Sequence, residues 1–316
     1  MTPPTSPTSD ADVYFAVDFD GDGTDELVTI GNNQVRWSTH EQGVKGGLIG
    51  HAIGSLNGDT KESLVLLMGR TRENPEAKPE IIRVDGSELT RLYIGTSKLE
   101  RLTDVRIGPK GVFATRMDPD KVARGGWVQD GKFRGVTESI MGLQQAPLSD
   151  GSIAVGRLYG DEPRTHGGLE IHHPDAPPTI LPTLRGVRSL EVMDVDRDGA
   201  EDLLVADGWH FRYGQDAQAR LTLYRGPDFT DKRFITEIDS AYTIDSIHAV
   251  RTPSNHPQPI LITTESDSYL LLPETVGWRS EAIKQAPGGT APIVVEAPKR
   301  AWIMVDGTSQ RDILVH

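Results

Sequence analysis

The stretch VMDVDRDGAEDLLV, residues 192–205, sets Asp194, Asp196 and Asp198 two apart, turns on Gly199 and runs into an apolar segment. AVDFDGDGTDELVTI, residues 16–30, repeats the arrangement far upstream. Asp18, Asp20, Asp22 and Gly23 align with Asp194, Asp196, Asp198 and Gly199, and Glu26 aligns with Asp202. Alternating apolar residues enter each loop and a β-rich run leaves it, which reads as strand, acidic turn, strand.

The two copies lie 176 residues apart, or four intervals of 44. Degenerate copies fall between and beyond them. IGSLNGDTKESLVLLMG keeps Asn57, Gly58 and Asp59 before an apolar run, while VRIGPKGVFATRMD and APLSDGSIAVGRLYG keep only strand, turn and strand. IHAVRTPSNHPQPILITT and IVVEAPKRAWIMVDG extend the series after residue 240. Seven units of about 45 residues, the size of a four-stranded blade, predict an all-β, seven-bladed β-propeller. The units run over 12–46, 47–97, 98–140, 141–184, 185–240, 241–288 and 289–316, after a Pro/Ser/Thr-rich tether at 1–11. The last unit lacks a visible fourth strand, so closure would need one from elsewhere. Six or eight blades, or a two-domain β-sandwich, are the competing architectures.

Composition agrees with an all-β chain and narrows the partners. Among 316 residues, 33 Gly and 21 Pro supply turns, and 36% hydrophobic residues supply a core. The net charge of −13 argues against nucleic acid, whose phosphates need clustered Lys and Arg. The lack of cysteine excludes disulfides, zinc–thiolate sites and a cysteine nucleophile. No apolar stretch approaches the roughly 18 residues of a membrane span. The N-terminus has neither the basic nor the apolar region of a signal peptide. An exported protein that has shed its signal or anchor is the expected setting, with a cytosolic start as the alternative.

Oxygen ligands at loop positions 1, 3, 5 and 9, with glycine at 6, suit a hard cation such as Ca²⁺. Asp18, Asp20, Asp22 and Glu26 would supply one set of side chains, and Asp194, Asp196, Asp198 and Asp202 the other. The carbonyls of Thr24 and Ala200, at position 7, are the backbone candidates. An EF-hand needs a bidentate Glu at position 12, where these loops have Thr29 and Val205 inside expected strands. Asp and Gly are also ordinary turn formers, so an ion-free acidic hairpin competes with the metal reading. Crowded carboxylates repel one another unless neutralised, which favours the ion.

These loops resemble the FG-GAP or VCBS repeats of integrin-α-like propellers, in the form D-x-D-x-D-G-x-x-[DE] followed by LL or LV. The resemblance covers two units well and one in part. It implies a propeller with Ca²⁺ in the hairpin between the first two strands of a blade, on the rim opposite the ligand face. Two structural Ca²⁺ sites are expected. A third, at Asn57/Asp59, is weakened by Ser55 and Ser63 at positions 1 and 9.

The loops joining second to third strands would then form the recognition face. Trp209, His210, Arg212 and Tyr213 cluster in one of them, and Tyr159, Arg164 and His166 in another. Arg70, Arg72, Arg116, Asp118 and Lys121 add charge. Aromatic faces beside charged groups suit a protein or glycan partner, although the same rings could simply cover a neighbouring blade. His172 and His173 sit on opposite faces of an expected strand and read as structural. The chain contains no G-x-S-x-G, H-E-x-x-H or P-loop pattern. The expected role is therefore a calcium-stabilised binding, adhesion or scaffold module. A carbohydrate-active propeller hydrolase or lyase, with carboxylates assembled from different blades, is the alternative.

Overall fold

Short apolar runs separated by Gly, Pro, Asn and Asp become antiparallel strands throughout the chain. The computed structural model describes residues 13–314 except 57, 59, 73, 161–166, 210–217, 240, 251–257, 275–276, 284–292, 298–299 and 306–307. Among the described residues there are 27 strands and no helix.

The first sheet contains β1 (Val13–Val17), β2 (Glu26–Gly31), β3 (Gln34–Trp37) and β4 (His40–Gly43). The second contains β5 (Gly47–Gly54), β6 (Ser63–Gly69), β7 (Glu80–Val84) and β8 (Leu89–Ile94). The third contains β9 (Arg101–Gly108), β10 (Gly111–Met117), β11 (Val122–Gln129) and β12 (Lys132–Ile140). The fourth contains β13 (Gln144–Pro147), β14 (Ile153–Gly156), β15 (Leu169–His172) and β16 (Thr179–Leu181). The fifth contains β17 (Ser189–Met193), β18 (Asp202–Ala206), β19 (Ala219–Arg225) and β20 (Asp231–Ile238). The sixth contains β21 (Ile244–Ala249), β22 (Ile260–Thr264), β23 (Ser268–Pro273) and β24 (Trp278–Ile283). Each is a meander in which every strand pairs with the next in sequence.

The expected count of seven four-stranded blades is corrected to six. The C-terminal strands β25 (Ile293–Ala297), β26 (Arg300–Val305) and β27 (Thr308–Leu314) form a sheet of only three strands. The last unit, already without a visible fourth strand in the sequence, has 22 residues for its three strands and gains no fourth from elsewhere among the described residues. β1 cannot supply a fourth, because it pairs with β2 as the first strand of its own sheet, Val13 opposite Ile30 and Val17 opposite Glu26.

The sheets form a propeller because their second strands are apolar on both faces. In β6, Leu64, Leu66 and Met68 pack with Phe15, Val17 and Val28 of the first blade. The intervening Val65 and Leu67 pack with Leu102, Val105 and Val112 of the third. In β18, Leu203 and Val205 face the fourth blade, and Leu204 and Ala206 face the sixth. A period of two residues thus sends alternate side chains to opposite neighbours. The first strands line the axis, where side chains of different blades meet. Arg106 of β9 crosses to Glu191 and to the Leu190 carbonyl of β17, the latter at 3.0 Å, while also holding Asp104 at 3.0 Å. His51 of β5 lies 5.9 Å from His248 of β21, ring centre to ring centre, and 4.6 Å from Phe15.

Both axial imidazoles are held neutral. Burial pushes His51 down to about 3, helped by His248 and Arg106; burial and Arg106 push His248 down to about 4. An unfolded histidine takes its proton near pH 6.5, whereas these refuse it until the solution is far more acidic. The unfolded state therefore binds more protons, and stability falls as pH drops from about 6.5 towards 4. Urea titrations across that window should show a shallower pH dependence for a His51→Leu/His248→Leu double variant than for the parent. Parallel curves would mean that the pair contributes nothing to acid sensitivity.

Candidate functional site

The acidic loops form the hairpins β1–β2 and β17–β18, so paired strands fix both ends of each. Gly23 and Gly199 take φ of +81° and +91°, a left-handed turn that a side chain would strain. In the first loop Asp18 is buried, and its two oxygens accept from the amides of Gly21 at 2.8 Å and Gly23 at 2.9 Å. Asp20 accepts from Asp22 N at 3.1 Å, and Asp22 from Thr24 N at 2.7 Å. Glu26 folds back to accept from Phe19 N at 2.9 Å. Burial raises the Glu26 pKa, and the charges of Asp20, Asp18 and Asp22 add to the rise.

The second loop repeats this wiring. Asp194 accepts from Asp198 N at 3.1 Å and Gly199 N at 2.9 Å, and Asp198 from Ala200 N at 2.9 Å. Asp202 is fully buried and accepts from Val195 N at 3.0 Å and Gly226 N at 2.9 Å. Burial raises its pKa too, and the Asp196 and Asp198 charges contribute to the rise.

Carboxylate oxygens of Asp18, Asp20 and Asp22 lie within 4.8 Å of one another, as do those of Asp194, Asp196 and Asp202. Oxygens that share one Ca²⁺ at about 2.3–2.6 Å stand no more than about 5 Å apart, so both clusters fit such an ion. What separates them is a cation supplied by the chain. Arg225, the last residue of β19, pairs with Asp196, with Asp198 at 3.2 Å and with Asp231 at 3.4 Å. No basic residue is seen to pair with Asp18, Asp20 or Asp22 among the described residues. Instead another carboxylate approaches: buried Glu62 accepts from Asp18 N at 3.1 Å and returns its own amide to the Asp18 carbonyl at 2.8 Å.

Glu62 and Arg225 are invisible to motif reading, because each arrives from outside its loop. Glu62 lies 44 residues from Asp18, and Arg225 lies 27 residues from Asp198. The incomplete third loop, from which Glu62 comes, has Asn57 and Asp59 outside the described residues.

Of the recognition-face candidates, Trp209 is half-buried at the junction of the fourth and fifth blades. Its backbone exchanges two 3.0 Å hydrogen bonds with Gly186, and the Arg188 guanidinium sits 5.7 Å from its ring centre. Tyr159, after β14, is half-buried as well. His210, Arg212, Tyr213, Arg164 and His166 lie outside the described residues. Fully buried Asp207 anchors the base of the aromatic loop, accepting from Leu184 N at 2.9 Å and the Thr222 hydroxyl at 3.0 Å. His172 and His173 are tied into their sheet by Glu170 at 2.9 Å and Thr179 at 3.0 Å respectively.

No family model matches the chain, and no curated protein matches it either. Its fold is similar to that of a chain in the crystal structure of BBS1N in complex with ARL6DN. In the lead-soaked form the TM-score is 0.58 at 10% identity, covering 99% of this chain and 95% of that one. In the mercury-soaked form it is 0.57 at 10% identity, with coverage of 99% and 94%. A chain from a S. cerevisiae assembly of Dbp5 bound to Nup159, Gle1, IP6 and ADP gives 0.51 at 8% identity, with coverage of 99% and 98%. At such identities the likeness is one of fold.

The two loops should respond oppositely to neutralising one acid in chelator. Asp22→Asn removes a repelling charge while keeping an acceptor for Thr24 N, and should raise stability. Asp196→Asn removes a partner of Arg225 and should lower it. Each change is expected to be about 0.5–1 kcal/mol by urea denaturation; the same sign at both loops would show that Arg225 does not balance the second.

Proposed function

We propose that this chain is a binding module: an FG-GAP/VCBS-like propeller, stiffened by Ca²⁺, that presents its loop face to a protein partner. The observation that carries the reading is the bridged axis. Arg106 joined to Glu191, and His51 beside His248, place paired side chains across the centre of the ring. Recognition then falls to the rim and loop surfaces, which suit macromolecules. The fold likeness to BBS1N, crystallised with ARL6DN, supports the same role. Surface-immobilised chain screened against arrayed proteins and arrayed glycans should bind a protein saturably. Binding to sugars alone would replace the protein by a glycan, and saturable binding to neither would end the module reading.

In this reading the ions are structural. Asp18, Asp20, Asp22 and Glu26 hold one, and Asp194, Asp196, Asp198 and Asp202 the other, with the carbonyls of Thr24 and Ala200 as the backbone ligands. Each would neutralise crowded carboxylates and pin the inner hairpin of its blade. An ion that prefers the folded state stabilises it by about 2.7 kcal/mol when its concentration is 100-fold above Kd. Calorimetry should find two calcium ions per chain, one of them lost in Asp22→Ala and the other in Asp198→Ala. Magnesium should substitute poorly, because it demands a tighter octahedron. A chain that binds no calcium at millimolar concentration leaves only acidic turns.

The second loop can bind only by displacing Arg225. Its affinity should therefore be the lower of the two, and Arg225→Met should raise it about tenfold while leaving the first loop unchanged. Equal affinities that do not respond to Arg225→Met would contradict the competition.

A further inference from the structure

At the junction of the second and third blades, the start of β5, the β6–β7 loop and the segment leading into β9 border a small, open cleft of about 140 Å³. Its lining is mixed, with Ile49, Ala77, Pro79 and Leu102 supplying an apolar part beside charged side chains. Ile49 is 43% exposed, and Leu99, between the lining residues Lys98 and Glu100, is 71% exposed. Large aliphatic side chains left open beside a concavity are a feature of contact surfaces.

The charge around this lining is uneven. Most described arginines are matched to a carboxylate: Arg91 to Glu80, Arg116 and Arg124 to Asp118, Arg157 to Glu170, Arg188 to Asp245. Arg70 and Arg101, which line the cleft, are exposed and have no ion pair among the described residues. The acid in the cleft wall does not serve them, because Glu100 is held by the Tyr93 hydroxyl and, at 3.0 Å, by Thr96 N. Lys98 is bound to Glu76 at 2.6 Å. Among the described residues, the guanidinium groups of Arg70 and Arg101 therefore outnumber the one Glu100 carboxylate, which leaves the cleft net basic on a chain whose net charge is −13. Guanidinium forks match carboxylates in geometry as well as sign.

We propose that this cleft docks a peptide segment of a protein partner in which a large aliphatic side chain is flanked by an acidic one. The aliphatic group enters against Ile49 and Leu102, and the carboxylate pairs with Arg70, Arg101 or both. The proposal rests on the binding-module reading and assigns a surface and a partner chemistry to it. Volume, lining and charge each set one requirement: one anchoring side chain, apolar, with an acid beside it.

A phage-displayed peptide library panned on the immobilised chain tests this, with the enriched consensus peptide then titrated as a fluorescent probe. Asp or Glu beside Leu, Ile or Met should be enriched, and the affinity should fall steeply with salt. Arg70→Glu/Arg101→Glu should weaken the probe at least tenfold, Arg70→Lys/Arg101→Lys should weaken it less, and Arg134→Glu on outer strand β12 should leave it unchanged. Unfolding midpoints of the variants would establish that the substituted chains remain folded. Enriched peptides without acids, or binding that survives the double reversal, overturn the cleft assignment and leave the module reading standing. So does failure to enrich any peptide when the protein array still yields a partner. Failure of both screens removes both readings.

Discussion

The structure depends on one constraint, that a strand apolar on both faces must be covered on both faces. β6 is buried along its whole length, as are β14 and β18. A single sheet cannot satisfy this, and a two-layer sandwich covers only one side of each layer. Radial stacking supplies both covers, because each sheet is a neighbour's left wall and another's right. Truncating a leucine such as Leu66 in this arrangement would cost about 2–5 kcal/mol, the usual range for a buried leucine. The polar edges then fall at the axis and rims, where the chemistry of the molecule lies.

At the axis, polar groups are partly buried and have to be matched. Arg106 is kept charged by two carboxylates from different blades, and the imidazoles avoid the cost of burial by staying neutral. This ties distant blades together. At the rim the same problem is solved in two ways: the second acidic loop borrows a guanidinium from β19, while the first gathers a further carboxylate from its neighbour. Two loops of nearly one sequence therefore differ in electrostatics, and the first has the greater need of an external cation.

Function follows from what remains uncommitted. The axis is bridged by paired side chains, the hairpin acids are engaged in their own turns, and most described arginines have partners. The cleft between the second and third blades combines apolar side chains with two guanidinium groups that have no ion pair among the described residues.

The strand–turn–strand rhythm, the all-β class and the acidic hairpins were legible in the sequence, because each rests on residues close together in the chain. Periodicity of two reveals a strand, and glycine at the sixth loop position reveals a turn, without reference to any neighbour. The blade count was not legible: the short last unit shows no fourth strand in the sequence, but only pairing shows that β1 is already used and that none arrives from elsewhere among the described residues. Nor were Glu62, Arg225 or the axial pair of His51 and His248, which meet their partners across 27 to 197 residues of chain. Local pattern determines which segments pair and where they turn. Radial packing alone decides which charges are brought together, because it sets the distances between side chains of different blades.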